Sequence, residues 1–89
     1  MNTSLDEPAL IALARQNNRS AWAALYERHR SKIVEVCRQR AGDQNLADDL
    51  CHDAFLKAMT KIATFRGQSA FGTWLYRIAV NEVLATRRR

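Results

Sequence analysis

Eighty-nine residues make one small domain, able to bury only about 60–65% of its unfolded surface, and an apolar share of 47% excludes disorder throughout. One proline and three glycines leave little turn-forming material, which favours a few long helices over many short strands. The net charge of +5 suits a polyanionic partner, while the absence of a basic-then-apolar leader and of any run near ~18 apolar residues argues against a signal peptide and a membrane span.

Met1 to Leu5 reads as a frayed start. Asp6 is a suitable N-cap, followed by Glu7 and Pro8 in a first turn where proline forfeits no hydrogen bond and glutamate complements the helix dipole. Ala9, Leu10, Leu13 and Ala14 predict a short amphipathic helix ending near Asn17, and Asn18 can cap the next. From Ser20 to about Arg40, Ala21, Trp22, Leu25, Tyr26, His29, Ile33, Val36 and Cys37 recur mostly at threes and fours. This predicts a helix of roughly 30 Å at the usual 1.5 Å rise, with Gly42 as its stop.

Asp43 or Asn45 can cap a third helix over Leu46 to Ala63. Leu46, Leu50, Ala54 and Ala58 form one apolar row, and Cys51, Phe55, Met59 and Ile62 a second. Its polar side carries Asp49, His52, Asp53, Lys57 and Thr60, and Leu56 falls among them. A loop over Thr64 to Gln68 follows, then a fourth helix from Ala70 to about Arg88 with Ser69 as N-cap. No repeat, low-complexity tract or linker interrupts the pattern. The expectation is an all-α fold, a compact bundle of four helices, one short and three long, forming a single domain over residues 1–89. The chain stops as an arginine run begins, which reads as a truncation.

Charge divides the chain. Residues 43–53 hold Asp43, Asp48, Asp49 and Asp53 with no Lys or Arg, whereas from Ile62 onward Arg66, Arg77, Arg87, Arg88 and Arg89 face only Glu82. Two surfaces with two partners are implied. Cys37 and Cys51 lie on apolar rows and read as buried, reduced thiols of a cytosolic protein. Neither they nor His29 and His52 have the spacing of a zinc site, so no metal or other cofactor is expected. No nucleophile–base pair, carboxylate dyad or phosphate-cradling glycine loop points to an enzyme, and no catalytic residue is assigned.

The most informative stretch is Phe65-Arg66-Gly67-Gln68-Ser69-Ala70-Phe71-Gly72-Thr73-Trp74-Leu75-Tyr76-Arg77-Ile78-Ala79-Val80-Asn81. Gly67 frees the backbone, and Phe71, Trp74, Leu75, Ile78 and Ala79 mark one apolar helix face. Arg77 and Asn81 sit four apart on another side, with Arg66 and Gln68 in the loop before them. Rings at this spacing are usually core, which fits Trp74 and Phe65. Core packing alone does not explain the cations and amide between them. Rings, cations and an amide around one helix start suit a nucleic-acid strand with its bases turned outward.

This stretch closely resembles the promoter-melting segment of extracytoplasmic-function (group 4) sigma factors of bacterial RNA polymerase. Asp48-Asp49-Leu50-Cys51-His52-Asp53-Ala54-Phe55-Leu56-Lys57-Ala58 resembles the polymerase-binding helix of the same family, and the likeness runs from about Leu10 to Arg88. It implies a cytoplasmic, non-enzymatic initiation factor whose region 2 binds polymerase core and melts the promoter −10 element. By this resemblance Arg66, Gly67, Gln68, Ser69, Ala70 and Phe71 form a pocket for one base turned out of the non-template strand. Asn81 reads or holds a neighbouring base, and Arg77 serves phosphate or solvates the helix. Arg87 and Arg88, with Arg89, either touch duplex phosphate upstream or form a solvated end.

On the acidic side, the resemblance places Asp49, His52, Asp53, Leu56 and Met59 against the clamp helices of the largest polymerase subunit. Family members commonly have Gln where this chain has His52, and many have Asp near position 85, where this chain has Ala85. Met59 also lies at the edge of the apolar rows, where it reads equally as core. The resemblance also admits an anti-sigma protein as a partner, and the −35-reading region 4 is missing from this chain. Two other readings stand beside it: a helical module binding only protein, as a sigma-like decoy, and a helix-turn-helix regulator of duplex DNA. Intact Arg66, Gln68 and Asn81 argue against the first. The apolar inner face of the fourth helix argues against the second.

Overall fold

The computed structural model describes residues 6–67 and 69–87, of Arg87 the backbone only; Met1 to Leu5, Gln68, Arg88 and Arg89 lie outside the described residues. The chain folds into α1 (Glu7–Ala14), α2 (Arg19–Ala41), α3 (Gln44–Lys61) and α4 (Phe71–Arg87), with a 3-10 turn over Ile62–Thr64 between the last two. The architecture is the all-α bundle of one short and three long helices that the periodicity predicts.

The helix ends follow from local chemistry. The Asp6 carboxylate accepts the Ala9 N–H at 3.0 Å, and Pro8 occupies the first turn. α1 ends earlier than expected, at Ala14. Asn17 then takes φ 64° and the Asn18 N–H donates back to the Leu13 carbonyl at 3.2 Å, closing the turn as a left-handed C-terminal cap. The Asn18 side chain caps α2 by accepting the Ala21 N–H at 2.9 Å. Gly42 ends α2 at φ 75°, a conformation that glycine adopts without steric penalty, and Asp43 caps α3 through the Asn45 and Leu46 N–H groups. α4 starts at Phe71, where the Trp74 N–H donates to the Ala70 carbonyl at 3.1 Å. Ala70, not Ser69, therefore stands at the N-cap position.

α2 is the spine: α1, α3 and α4 all pack on it, and α3 also packs on α4. Leu25, Cys37, Cys51, Ala54, Leu75 and Ala79 are fully buried where these helices meet. Burial of a leucine such as Leu25 or Leu75 contributes about 1.5–3 kcal/mol. Tyr26 packs edge-on against Phe55 with centroids 4.7 Å apart, joining α2 to α3. The Trp22 indole donates to the Ala14 carbonyl at 3.2 Å, joining α2 to the end of α1. Among the described residues no helix is long and apolar enough to cross a membrane.

Among the described residues one charged group is buried. Glu82 lies on the inward stripe of α4, four residues beyond Ile78, and is 6% exposed. The half-exposed Lys57 of α3 reaches it, Nζ to Oε2 2.8 Å. A lone buried carboxylate would be strongly unfavourable, and this pair offsets part of that cost while linking α4 to α3.

Candidate nucleic-acid interface

Between the 3-10 turn and α4, the chain wraps a cluster of rings. Phe65 and Phe71, both buried, meet at right angles with centroids 5.7 Å apart. Half-buried Trp74 lies 5.1 Å from Phe65 and 5.6 Å from Phe71. His29 of α2 also meets Phe71, tilted by 57° with centroids 5.4 Å apart, and Gly72 leaves room for it: a Cβ there would stand 3.3 Å from the imidazole Cε1. These contacts make a rigid aromatic base. The loop over it is shaped by Gly67 at φ 76°.

A hollow of about 390 Å³ opens on this base, lined by Arg66, Gly67, Ser69, Ala70 and Phe71 from the loop and the start of α4, by Glu7, Pro8 and Ile11 from α1, and by Arg15 at the C-cap of α1. Its volume is within the roughly 300–1,000 Å³ of small-molecule sites. Five of the six residues expected to form a base pocket are thus brought together; Gln68 lies outside the described residues. Phe71 is at once core and lining, 2% exposed. A smaller hollow of about 140 Å³ adjoins it, shared by Thr64, Phe65, Arg66, Ser69, Trp74 and Arg77. Arg77 therefore belongs with the loop. Asn81, exposed and one turn further along the same side of α4, lines neither hollow. The Arg87 side chain, Arg88 and Arg89 lie outside the described residues.

The charge at this end is cleaner than the sequence shows. Glu82 is the only acid after Ile62, and it is buried against Lys57. The acid that lines the hollow, Glu7, is bonded to His29, Nε2 to Oε1 2.6 Å. Arg15, Arg66 and Arg77 surround the two hollows as cations.

The second candidate surface lies on α3. Asp49, His52, Asp53, Leu56 and Met59 are all exposed. Leu56 at 48% and Met59 at 45% are the two most exposed large apolar side chains described, so Met59 is surface, not core. His52, Leu56 and Met59 edge a hollow of about 430 Å³, whose α2 side is Trp22, Ala23, Tyr26 and Glu27. Sequence reasoning missed those α2 residues, as it missed the α1 wall of the base hollow. Both sets come from helices distant in sequence, and no local pattern marks them. Among the described residues no group of three or more His, Cys, Asp or Glu side chains converges as a metal site would require.

Comparison with known proteins agrees with this geometry. The chain is 38% identical over 81 residues to the ECF RNA polymerase sigma-E factor of Haemophilus influenzae, covering 91% of this chain and 42% of that protein. It is 35% identical, with the same coverage, to the RNA polymerase sigma-H factor of Pseudomonas aeruginosa. It is 32% identical to the ECF RNA polymerase sigma factor SigW of Bacillus subtilis, over 80% of this chain and 38% of that protein. The chain thus spans about two fifths of the length of these curated relatives. Its backbone matches the NMR structure of an engineered region 2 of sigmaE in complex with GTAAAA, with a TM-score of 0.88, 26% identity, and coverage of 99% of this chain and 92% of that one. The model of the family Sigma-70 region 2 matches residues 25–89. With its bundle, its ring-based loop and its two candidate surfaces, the chain belongs to the Sigma-70 region 2 family, on the extracytoplasmic-function branch.

Proposed function

We propose that residues 1–89 act as the polymerase-docking and −10-recognising unit of an alternative sigma factor. One base of the single-stranded non-template −10 element enters the hollow over Phe65 and Phe71, and Arg66 and Arg77 follow the phosphates beside it. Taking a base out of its stack costs a few kcal/mol, and a ring-based hollow can offset that. Asn81, with one donor and one acceptor edge, reads a neighbouring base. The exposed Leu56 and Met59, rimmed by Asp49, Asp53 and His52, dock on RNA polymerase core as an apolar anchor within a polar border. Strand separation then follows from binding, since the melted strand alone presents a base that fits.

The observation that carries this reading is the 390 Å³ hollow at the loop. The DNA strand in the complex of the engineered sigmaE domain, and the polymerase named in the relatives, agree with it. Fluorescence anisotropy tests it. A labelled GTAAAA strand should bind the domain more tightly than its duplex or a scrambled strand, and Asn81→Ala should erase the preference over the scrambled strand. Equal affinity for all three would refute it.

A further inference from the structure

At the C-cap of α1, beside the wall that this helix gives the hollow, a side chain reaches the loop from 50 residues away. The Arg15 guanidinium donates through Nη2 to the Phe65 carbonyl, and its Cζ stands 5.9 Å from the Phe65 ring centroid. Arg15 also lines the hollow beside Arg66 and Gly67. The Phe65 peptide is where the chain leaves the 3-10 turn, after the Phe65 N–H has bonded the Ile62 carbonyl at 3.1 Å. A trans peptide is planar, so holding its C=O also fixes the direction of the Arg66 N–H and the next Cα. The residue after that is Gly67, which has the widest backbone freedom in the loop. Without a grip on the Phe65 carbonyl, the aromatic cluster and the bonds of the 3-10 turn would hold the chain up to Phe65 but not the direction in which it leaves.

Resting on the base-capture reading above, we infer that Arg15 is a positioning residue for the pocket: it orients the Phe65–Gly67 backbone so that the hollow is formed before the strand arrives. The planar guanidinium suits the task because one face rests on a ring while an edge N–H reaches a carbonyl. α1 is then part of the DNA site although it supplies no residue of the loop motif. Preorganisation of this kind raises affinity by lowering the ordering penalty of binding.

The test compares the 89-residue domain with its Arg15→Met and Arg15→Lys variants. Anisotropy is read with GTAAAA and with strands in which each base in turn is replaced by an abasic site, across a salt series. In the wild type one abasic position should weaken binding by about fivefold or more. Arg15→Met should lose most of that base-dependent increment while its affinity for the corresponding abasic strand and its salt slope stay unchanged. Arg15→Lys, which can still donate to the carbonyl, should retain much of the increment. Equal weakening on both strands with a flatter salt slope would overturn the inference, because it would make Arg15 a phosphate contact. An unchanged increment would overturn it as well. If the wild type shows no increment at all, the base-capture reading fails, and amide NMR shifts of Arg66 and Gly67 still decide this inference: shifts unmoved in Arg15→Met refute it, while displaced ones support it.

Discussion

At the scale of single residues, the two cysteines show how burial sets chemistry. Both thiols are fully buried between α2 and α3. Burial pushes the Cys51 thiol up from 9.0 to about 11, with Cys37 beside it adding to the shift, and burial raises Cys37 in the same direction. A folded-state value above the unfolded one stabilises the fold fully below the unfolded value and ceases to do so as pH rises through the folded one. Stability measured by denaturant unfolding should therefore fall between about pH 9 and 11, and it should fall less steeply in Cys51→Ala. An identical slope in both proteins would contradict this. Phe71 and Ser69 show what single residues hide. The periodicity places Phe71 on the inner face, and nothing local says that its buried ring also lines a cavity. Ser69 has the right chemistry for an N-cap, but the ring cluster draws the helix start to Phe71, one position later.

At the scale of elements, the decisive contact is the Glu82–Lys57 bridge between α4 and α3. It joins the residue next to Asn81 to the residue next to Leu56, so the two candidate surfaces share one strut. Lys57→Met would leave the Glu82 carboxylate buried without a cation. Because Lys57 is half exposed, water can partly replace it, so the loss in unfolding free energy should be about 1–3 kcal/mol and short of the full penalty of a deep pair. Glu82→Gln should cost less, and the double change Lys57→Met with Glu82→Met should recover most of the loss. Equal losses for all three in urea unfolding would contradict this account. The helices themselves were legible from the sequence, since Asp6, Asn18, Gly42 and Asp43 mark their ends and the apolar rows mark their inner faces. The bridge was not, because a glutamate on an inward stripe reads as an exception until its partner on another helix is seen. The α1 wall of the hollow was hidden for the same reason: Arg15 and Phe65 are 50 positions apart, and neither carries a local sign of the other.

At the scale of the whole molecule, the bundle separates two kinds of surface. One carries exposed Leu56 and Met59 among acids, and the other carries a ring-based hollow lined by Arg15 and Arg66, whose acid Glu7 is bonded to His29. The sequence alone showed this division as a contrast between residues 43–53 and the chain after Ile62. The fold sharpens it by burying Glu82. On the proposed reading Leu56 serves docking and the hollow serves the strand, and Leu56 does not line that hollow, so Leu56→Asp should leave strand binding untouched. The central claim is that a base enters the hollow. Intermolecular NOEs between the domain and a bound GTAAAA strand test it most directly. The account predicts cross-peaks from base ring protons of one nucleotide to the Ala70 methyl and the Ile11 methyls, present also in Leu56→Asp. Contacts confined to sugar protons near Arg66 and Arg77, with the Ala70 and Ile11 signals unmoved on titration, would contradict it.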